Sequence, residues 1–109
     1  MSSNRLNQLL EMYEKSPNDS FLTFAIAKEY ETADNQSDAL KYYLQLQEKD
    51  PAYVGLYYHL GKLYELIGEN LKAQTTYKDG IEKAQNAGDF HSVSELNTAL
   101  QNLEIQLGN

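Results

Sequence analysis

His59 and His91 are the only histidines in a chain that contains no cysteine, so acid-base, nucleophilic or metal chemistry would have to be built from them and from sixteen carboxylates. Neither histidine has a second histidine one turn away, as a helical metal site needs. Both are therefore expected to be structural or surface residues. Glu65 and Glu69 stand one turn apart and could share a proton or a cation, but carboxylates on helices ordinarily form a solvated face. No glycine-rich phosphate loop follows a strand, and the spacing of Ser, His and Asp suggests no triad. The expectation is a chain with no catalytic residue, no metal and no cofactor, whose work is done by a surface.

The elements that must carry such a surface are helices. Leu6, Leu9, Leu10 and Tyr13 recur at i, i+3, i+4 and i+7, which predicts a helix over residues 4–15 with one apolar face. Pro17-Asn18-Asp19 makes a turn, Asp19 or Ser20 caps a helix to about Ala33, and Asp34-Asn35-Gln36 is a tight connection. Ser37 or its neighbour caps the next helix, to Lys49, before Pro51. A further pair runs from about Ala52 to Ile67 and from Asn70 to near Asn86, with Gly80 weakening the second of them. Gly88-Asp89 breaks the chain again. Asn18-Asp19-Ser20 and Asn35-Gln36-Ser37 match a glycosylation acceptor but read as turn and cap residues.

These elements repeat. Thr23, Ile26-Ala27, Tyr30, Ala39 and Tyr43 recur as Tyr57, Leu60-Gly61, Tyr64, Ala73 and Tyr77, each 34 residues on, and Lys28, Glu31, Glu48 and Lys49 recur outright as Lys62, Glu65, Glu82 and Lys83. A period of this length marks a stacked array of helical hairpins. On one helix face Tyr57, Leu60, Gly61 and Tyr64 fall together, with Gly61 and Ala27 small enough to let a neighbour approach closely. Ala73 and Tyr77, one turn apart on the following helix, place a small residue beside a large one to interlock with that face. Glu14-Lys15-Ser16-Pro17 matches Glu48-Lys49-Asp50-Pro51 at the same offset, so the first helix reads as the second half of a repeat. One flank of its apolar face has no neighbour nearby in sequence.

The pattern resembles the tetratricopeptide repeat, whose signature is Trp-x2-Leu-Gly-x2-Tyr, then Ala-x3-Phe, then Pro. The second copy keeps Leu60, Gly61, Tyr64 and Ala73, with Tyr57 for Trp and Tyr77 for Phe. The first keeps Tyr30, Ala39 and Pro51, while Gln85 stands where the second would have its Pro. The resemblance implies an all-α fold, a right-handed superhelical array of antiparallel helix pairs with about six helices. It implies one domain over 1–109: a half-repeat helix at 4–15, repeats at 20–53 and 54–87, and a C-terminal capping helix at 89–107. It further implies a non-catalytic module that binds a peptide or protein segment in a concave groove lined by the first helix of each repeat.

About a third of a turn from the packing stripe lie Phe21, Phe24, Lys28 and Glu31, and at the same offset Gly55, Tyr58, Lys62 and Glu65. As a groove, Phe24 and Tyr58 would anchor a partner and the two lysines would meet its carboxylate. As plain surface, Lys28-Glu31 and Lys62-Glu65 would be i, i+3 pairs of little consequence. The amides that chaperone-binding members need are missing from this face. Tyr42 and Tyr58, each the outer member of a tyrosine pair, are further candidates for a contact face.

The last segment spaces Val93, Leu96, Leu100, Leu103 and Leu107 by 3, 4, 3 and 4. It reads either as a cap over the second repeat or as a seam for a homodimer, and the uncovered face of Leu6, Leu9, Leu10 and Tyr13 raises the second option too. A net charge of −7 argues against nucleic acid. No apolar run approaches the roughly 20 residues of a membrane span, and the opening Met1-Ser2-Ser3-Asn4-Arg5 is unlike a signal peptide. A soluble cytoplasmic protein with a protein or peptide partner is expected.

Overall fold

A computed structural model of the chain describes residues 4–108; Met1–Ser3, part of the opening segment read above, and Asn109 lie outside the described residues. Six helices follow one another: α1 (Asn4–Lys15), α2 (Ser20–Thr32), α3 (Gln36–Lys49), α4 (Gly55–Leu66), α5 (Asn70–Ala87) and α6 (Phe90–Gln106). Among the described residues there is no strand. The fourth helix starts three residues later than its expected Ala52. The chain divides into two compact units, one ending at Pro51 and one beginning at Ala52.

Each tight turn is made by the same chemistry. Asp34 takes a left-handed conformation (φ 60°) and the Asn35 amide reaches back to the Tyr30 carbonyl at 2.8 Å. Thirty-four residues on, Gly68 is left-handed (φ 84°) and the Glu69 amide reaches the Tyr64 carbonyl at 2.8 Å. Gly88 (φ 69°) and the Asp89 amide on the Ala84 carbonyl, at 2.9 Å, close α5 in the same way. This is the bond pattern that satisfies the otherwise orphaned carbonyls of a helix end. The residue after each left-handed position then stands before the next helix. Asn35 Oδ1 accepts from the Asp38 amide at 3.2 Å and Asp89 Oδ1 from the Ser92 amide at 3.1 Å. The cap of α3 is therefore Asn35 rather than Ser37, because the turn delivers Asn35 to that place. Asp19 caps α2, accepting from the Leu22 amide at 3.0 Å.

In the first unit α1 packs on α2 and α2 on α3. Leu6 and Leu9 are buried with Leu22, Ala25 and Ile26, and Leu10, Tyr13, Tyr30 and Tyr42 pack against that cluster. The apolar face of α1, expected to lie uncovered, is thus covered within its own unit: burying a leucine there is worth about 1.5–3 kcal/mol, which draws α1 onto α2. Polar ties hold the third helix to the same assembly. Tyr13 Oη donates to Gln45 Oε1 at 3.1 Å, Ser20 Oγ to Asp50 Oδ2 at 2.7 Å and Lys49 Nζ to the Pro17 carbonyl at 3.2 Å.

In the second unit α4 packs on α5, and α6 lies against both. Leu56, Tyr57, Leu60, Leu63, Tyr77 and Ala84 are buried in it. The seam expected on α6 is only partly used, since Leu96, Ala99 and Leu103 are buried while Val93 and Leu100 are half-buried and Leu107 is exposed. A helix leaning on two others buries a stripe set by both, and Ala99 enters it because α4 comes close there. Gly80 likewise serves packing. A Cβ at that position would sit 2.5 Å from Tyr57 Cβ and 3.1 Å from Leu96 Cδ1, so its missing side chain is what brings three helices together.

Candidate functional site

Most signature residues of the two copies are buried, while Tyr30 is half-buried and Pro51 exposed. Ala27, Ala39, Tyr43, Leu60, Ala73 and Tyr77 are fully buried, Tyr57 and Tyr64 nearly so. In each hairpin, α2–α3 and α4–α5, a tyrosine of the second helix donates its hydroxyl to a glutamate of the first: Tyr43 to Glu31, and Tyr77 to Glu65. Burial, then the bond to the carboxylate, hold both phenols far above their ordinary pKa of 10.0. Glu31 and Glu65, expected on the groove or paired with lysines, are therefore taken up by the hairpin itself. A half-buried carboxylate needs a donor, and the tyrosine supplies it.

The lysines take a different course. Lys28 Nζ lies 5.9 Å from the Phe24 ring centre, and Lys62 Nζ lies 5.6 Å from that of Tyr58. These pairs sit 34 residues apart, one per unit. Among the described residues neither ammonium has a carboxylate within ion-pair distance. Each is exposed and held over a half-buried ring, an attraction of about 0.5–1 kcal/mol at such a site.

Phe21, Phe24 and Lys28 share a surface cleft of about 340 Å³ with Ala25, Glu29 and Thr32 of α2 and Arg5 of α1. Arg5 Nε donates to Glu29 Oε1 at 2.8 Å at the edge of this cleft. Tyr58 and Lys62 line a second cleft, of about 200 Å³, with Glu95, Thr98, Ala99 and Asn102 of α6. The structure thus gathers Phe21, Phe24 and Lys28 in one place and Tyr58 and Lys62 in another. Arg5, Glu29, Glu95, Thr98 and Asn102 join them without having been anticipated, because nothing periodic links α1 to α2 or α6 to α4.

Tyr42 is half-buried, its ring stacked on Tyr30 at 5.6 Å and meeting Tyr13 of α1 edge-on at 5.5 Å. The ring of His59 meets Tyr58 edge-on at 5.5 Å, and His91 is exposed. Among the described residues no three His, Asp or Glu side chains are grouped so as to hold a metal ion. Nor is any helix among them long and apolar enough to cross a membrane.

No family model matches the chain. It is 45% identical to a tetratricopeptide repeat domain protein of Salinibacter ruber, whose solution structure it matches over 82% of its own length and 90% of that chain with a TM-score of 0.79. The chain belongs to the tetratricopeptide repeat family. A TPR repeat-containing protein of Pseudomonas aeruginosa is 26% identical over 96 residues, 88% of this chain and 91% of that protein. The solution structure of a Bordetella parapertussis protein matches 97% of this chain and 91% of its own with a TM-score of 0.82 at 25% identity. Tetratricopeptide repeats are scaffolds for protein-protein interaction, and the repeat fold is what this chain shares with them.

Proposed function

We propose that this chain is a non-catalytic adaptor that holds a peptide or protein segment against the first helices of its repeats, in the concave groove that such helices line in the family. The observation that carries the reading is the recurrence of Lys28 over Phe24 and Lys62 over Tyr58 while the neighbouring glutamates are spoken for by Tyr43 and Tyr77. Packing needs the tyrosine-glutamate pair. It does not need an exposed ammonium on an aromatic ring, twice, at one register. Such a pair offers a partner an apolar contact and a cation in the same place, which suits a side chain followed by a carboxylate. Glu31 and Glu65 keep a part in this surface by fixing the helices that bear the lysines. Capture of partners from the native host, followed by NMR titration, tests the reading. Expected are shifts at Phe24, Lys28, Tyr58 and Lys62, and a captured partner that leaves all four unmoved overturns it.

A second copy of the chain, docking through α6, is the other reading, favoured by Phe90 and Ile105, each 73% exposed on that helix. Light scattering decides it: a mass of 12.4 kDa at high concentration removes the dimer.

A further inference from the structure

The α2 face that opens into the first cleft has a counterpart in the second unit. Counted from the capping residues Asp19 and Asp89, residues Ala25, Lys28, Glu29 and Thr32 of α2 correspond to Glu95, Thr98, Ala99 and Asn102 of α6, seventy positions further on. Those four residues of α6 are all that it contributes to its cleft, and α2 adds Phe21 and Phe24 to its own four. On α6 this face looks across at a helix, α4, which presents Tyr58 and Lys62 to it. On α2 Ala25 is buried in the cluster with Leu6 and Leu9 of α1 and Glu29 is bonded to Arg5, while Lys28, Thr32 and Phe21, the last 70% exposed, are left open within the unit.

We infer that the α1–α2 cleft seats an amphipathic helix of a partner protein, one that presents a large apolar side chain and, one turn further on, a carboxylate. The helical form follows from the counterpart: the equivalent face in the second unit is met by a helix whose contacts, Tyr58 and Lys62, are themselves an aromatic residue and a charge four positions apart. The sign of the charge follows from a reversal between the two clefts. In the second unit the shared face carries Glu95 and the opposing helix brings Lys62, whereas in the first unit Ala25 stands in the place of Glu95, Glu29 is already bonded to Arg5, and Lys28 is left with no carboxylate within ion-pair distance among the described residues. An incoming helix must therefore bring the acid.

Arg5 is suited to receive it. Its Nε is given to Glu29, which holds the planar guanidinium in place, and among the described residues nothing else accepts from it. Its outer nitrogens are left to bind a carboxylate in bidentate fashion, beside an ammonium already fixed over Phe24. Phe21 and Phe24 form the apolar floor on which the large side chain rests. The inference rests on the interaction reading above for Phe24 and Lys28; Arg5 and the occupant's helical, acidic character are its own.

The test titrates the full ¹⁵N-labelled chain with a synthetic helix-forming peptide of an alanine-glutamine host carrying Phe and, four residues later, Glu. The control peptide has Lys in place of that Glu. Expected are shifts at Phe21, Phe24, Lys28 and Thr32 and at the Arg5 side chain, with binding about tenfold weaker for the control peptide and about tenfold weaker again in Arg5→Gln. Lys15→Gln, on the same helix but outside the cleft, leaves binding unchanged. Equal binding of the two peptides, no shift up to about millimolar peptide, or full affinity in Arg5→Gln overturns the inference. Shifts confined to Tyr58 and Lys62 overturn it too, yet leave the adaptor reading standing. Cleft resonances that move with protein concentration alone would make the occupant a second copy, and would also overturn it.

Discussion

The ring of Tyr77 fills the space in which a side chain at Gly61 would begin: a Cβ there would lie 2.2 Å from Tyr77 Cε1 and 2.7 Å from Cζ. What comes close to Gly61 is thus the large residue of its own hairpin, and that ring is held at its far end by Glu65. Gly61→Ala gains about 1 kcal/mol of helix propensity but overpacks a ring that cannot swing away, at a cost of about 1–3 kcal/mol. A net loss of about 1 kcal/mol is expected, because the first copy accommodates alanine at Ala27. Gly80→Ala should cost more, since the atom it meets, Tyr57 Cβ, is bound to the backbone and has nowhere to go. Urea unfolding of both variants checks the order; a stabilised Gly80→Ala would contradict the packing described.

Asp34 and Gly68 occupy one place in two copies of a turn, and only one of them suits it. A left-handed backbone costs a residue with a Cβ about 1–2 kcal/mol, from which the greater freedom of glycine in the unfolded chain subtracts up to about 1. Asp34→Gly should therefore stabilise the chain by a few tenths to about 1 kcal/mol. Gly68→Ala should destabilise it by a similar amount, although no atom lies within 4 Å of the added methyl. Paired thermal melts read both signs.

The two buried phenols make stability fall in alkali. Their folded pKa values are raised above the unfolded 10.0, so the folded chain holds protons that the unfolded chain releases. The contribution is complete below pH 10 and is lost as pH rises beyond it, at about 1.4 kcal/mol per pH unit for each group. Absorbance at the tyrosinate band should show Tyr43 and Tyr77 ionising only as the circular dichroism signal collapses. Replacing both by Phe should flatten this dependence while costing about 1–3 kcal/mol apiece near neutrality, where Glu31 and Glu65 lose their donors.

Lys28→Glu combined with Lys62→Glu should abolish partner binding without lowering the melting temperature appreciably, because each lysine gives up no more than about 1 kcal/mol of ring contact. Isothermal titration beside a melt separates the two effects. Retained binding would remove the lysines from the interaction surface.

The repeat was legible because its period is written in residues that packing constrains on both sides: Ala27, Ala39 and Ala73 have no room for more, and Tyr43 and Tyr77 must reach a donor-seeking glutamate. Helix ends were nearly as legible, since caps and left-handed turns depend on the next few residues alone. What lay hidden depended on partners distant in sequence. Whether the Leu6 face of α1 is covered, which stripe of α6 is buried and where Tyr42 points are each decided by the helix alongside. The tyrosine partners of the glutamates were hidden for a related reason, as periodicity places Glu31 near the aromatic ladder but cannot show that Tyr43, on the returning helix, donates to it. Arg5 and Glu29, 24 residues apart, leave no trace in any periodicity.

The bond from Tyr43 to Glu31, and its twin from Tyr77 to Glu65, has one more effect: it acts as a detent between the two helices of a hairpin. Sliding one helix past the other by a single turn would carry the acceptor away by about 5.4 Å and strand a phenol in an apolar interior. A misaligned hairpin is thereby rejected on internal grounds, before any third helix has docked against it.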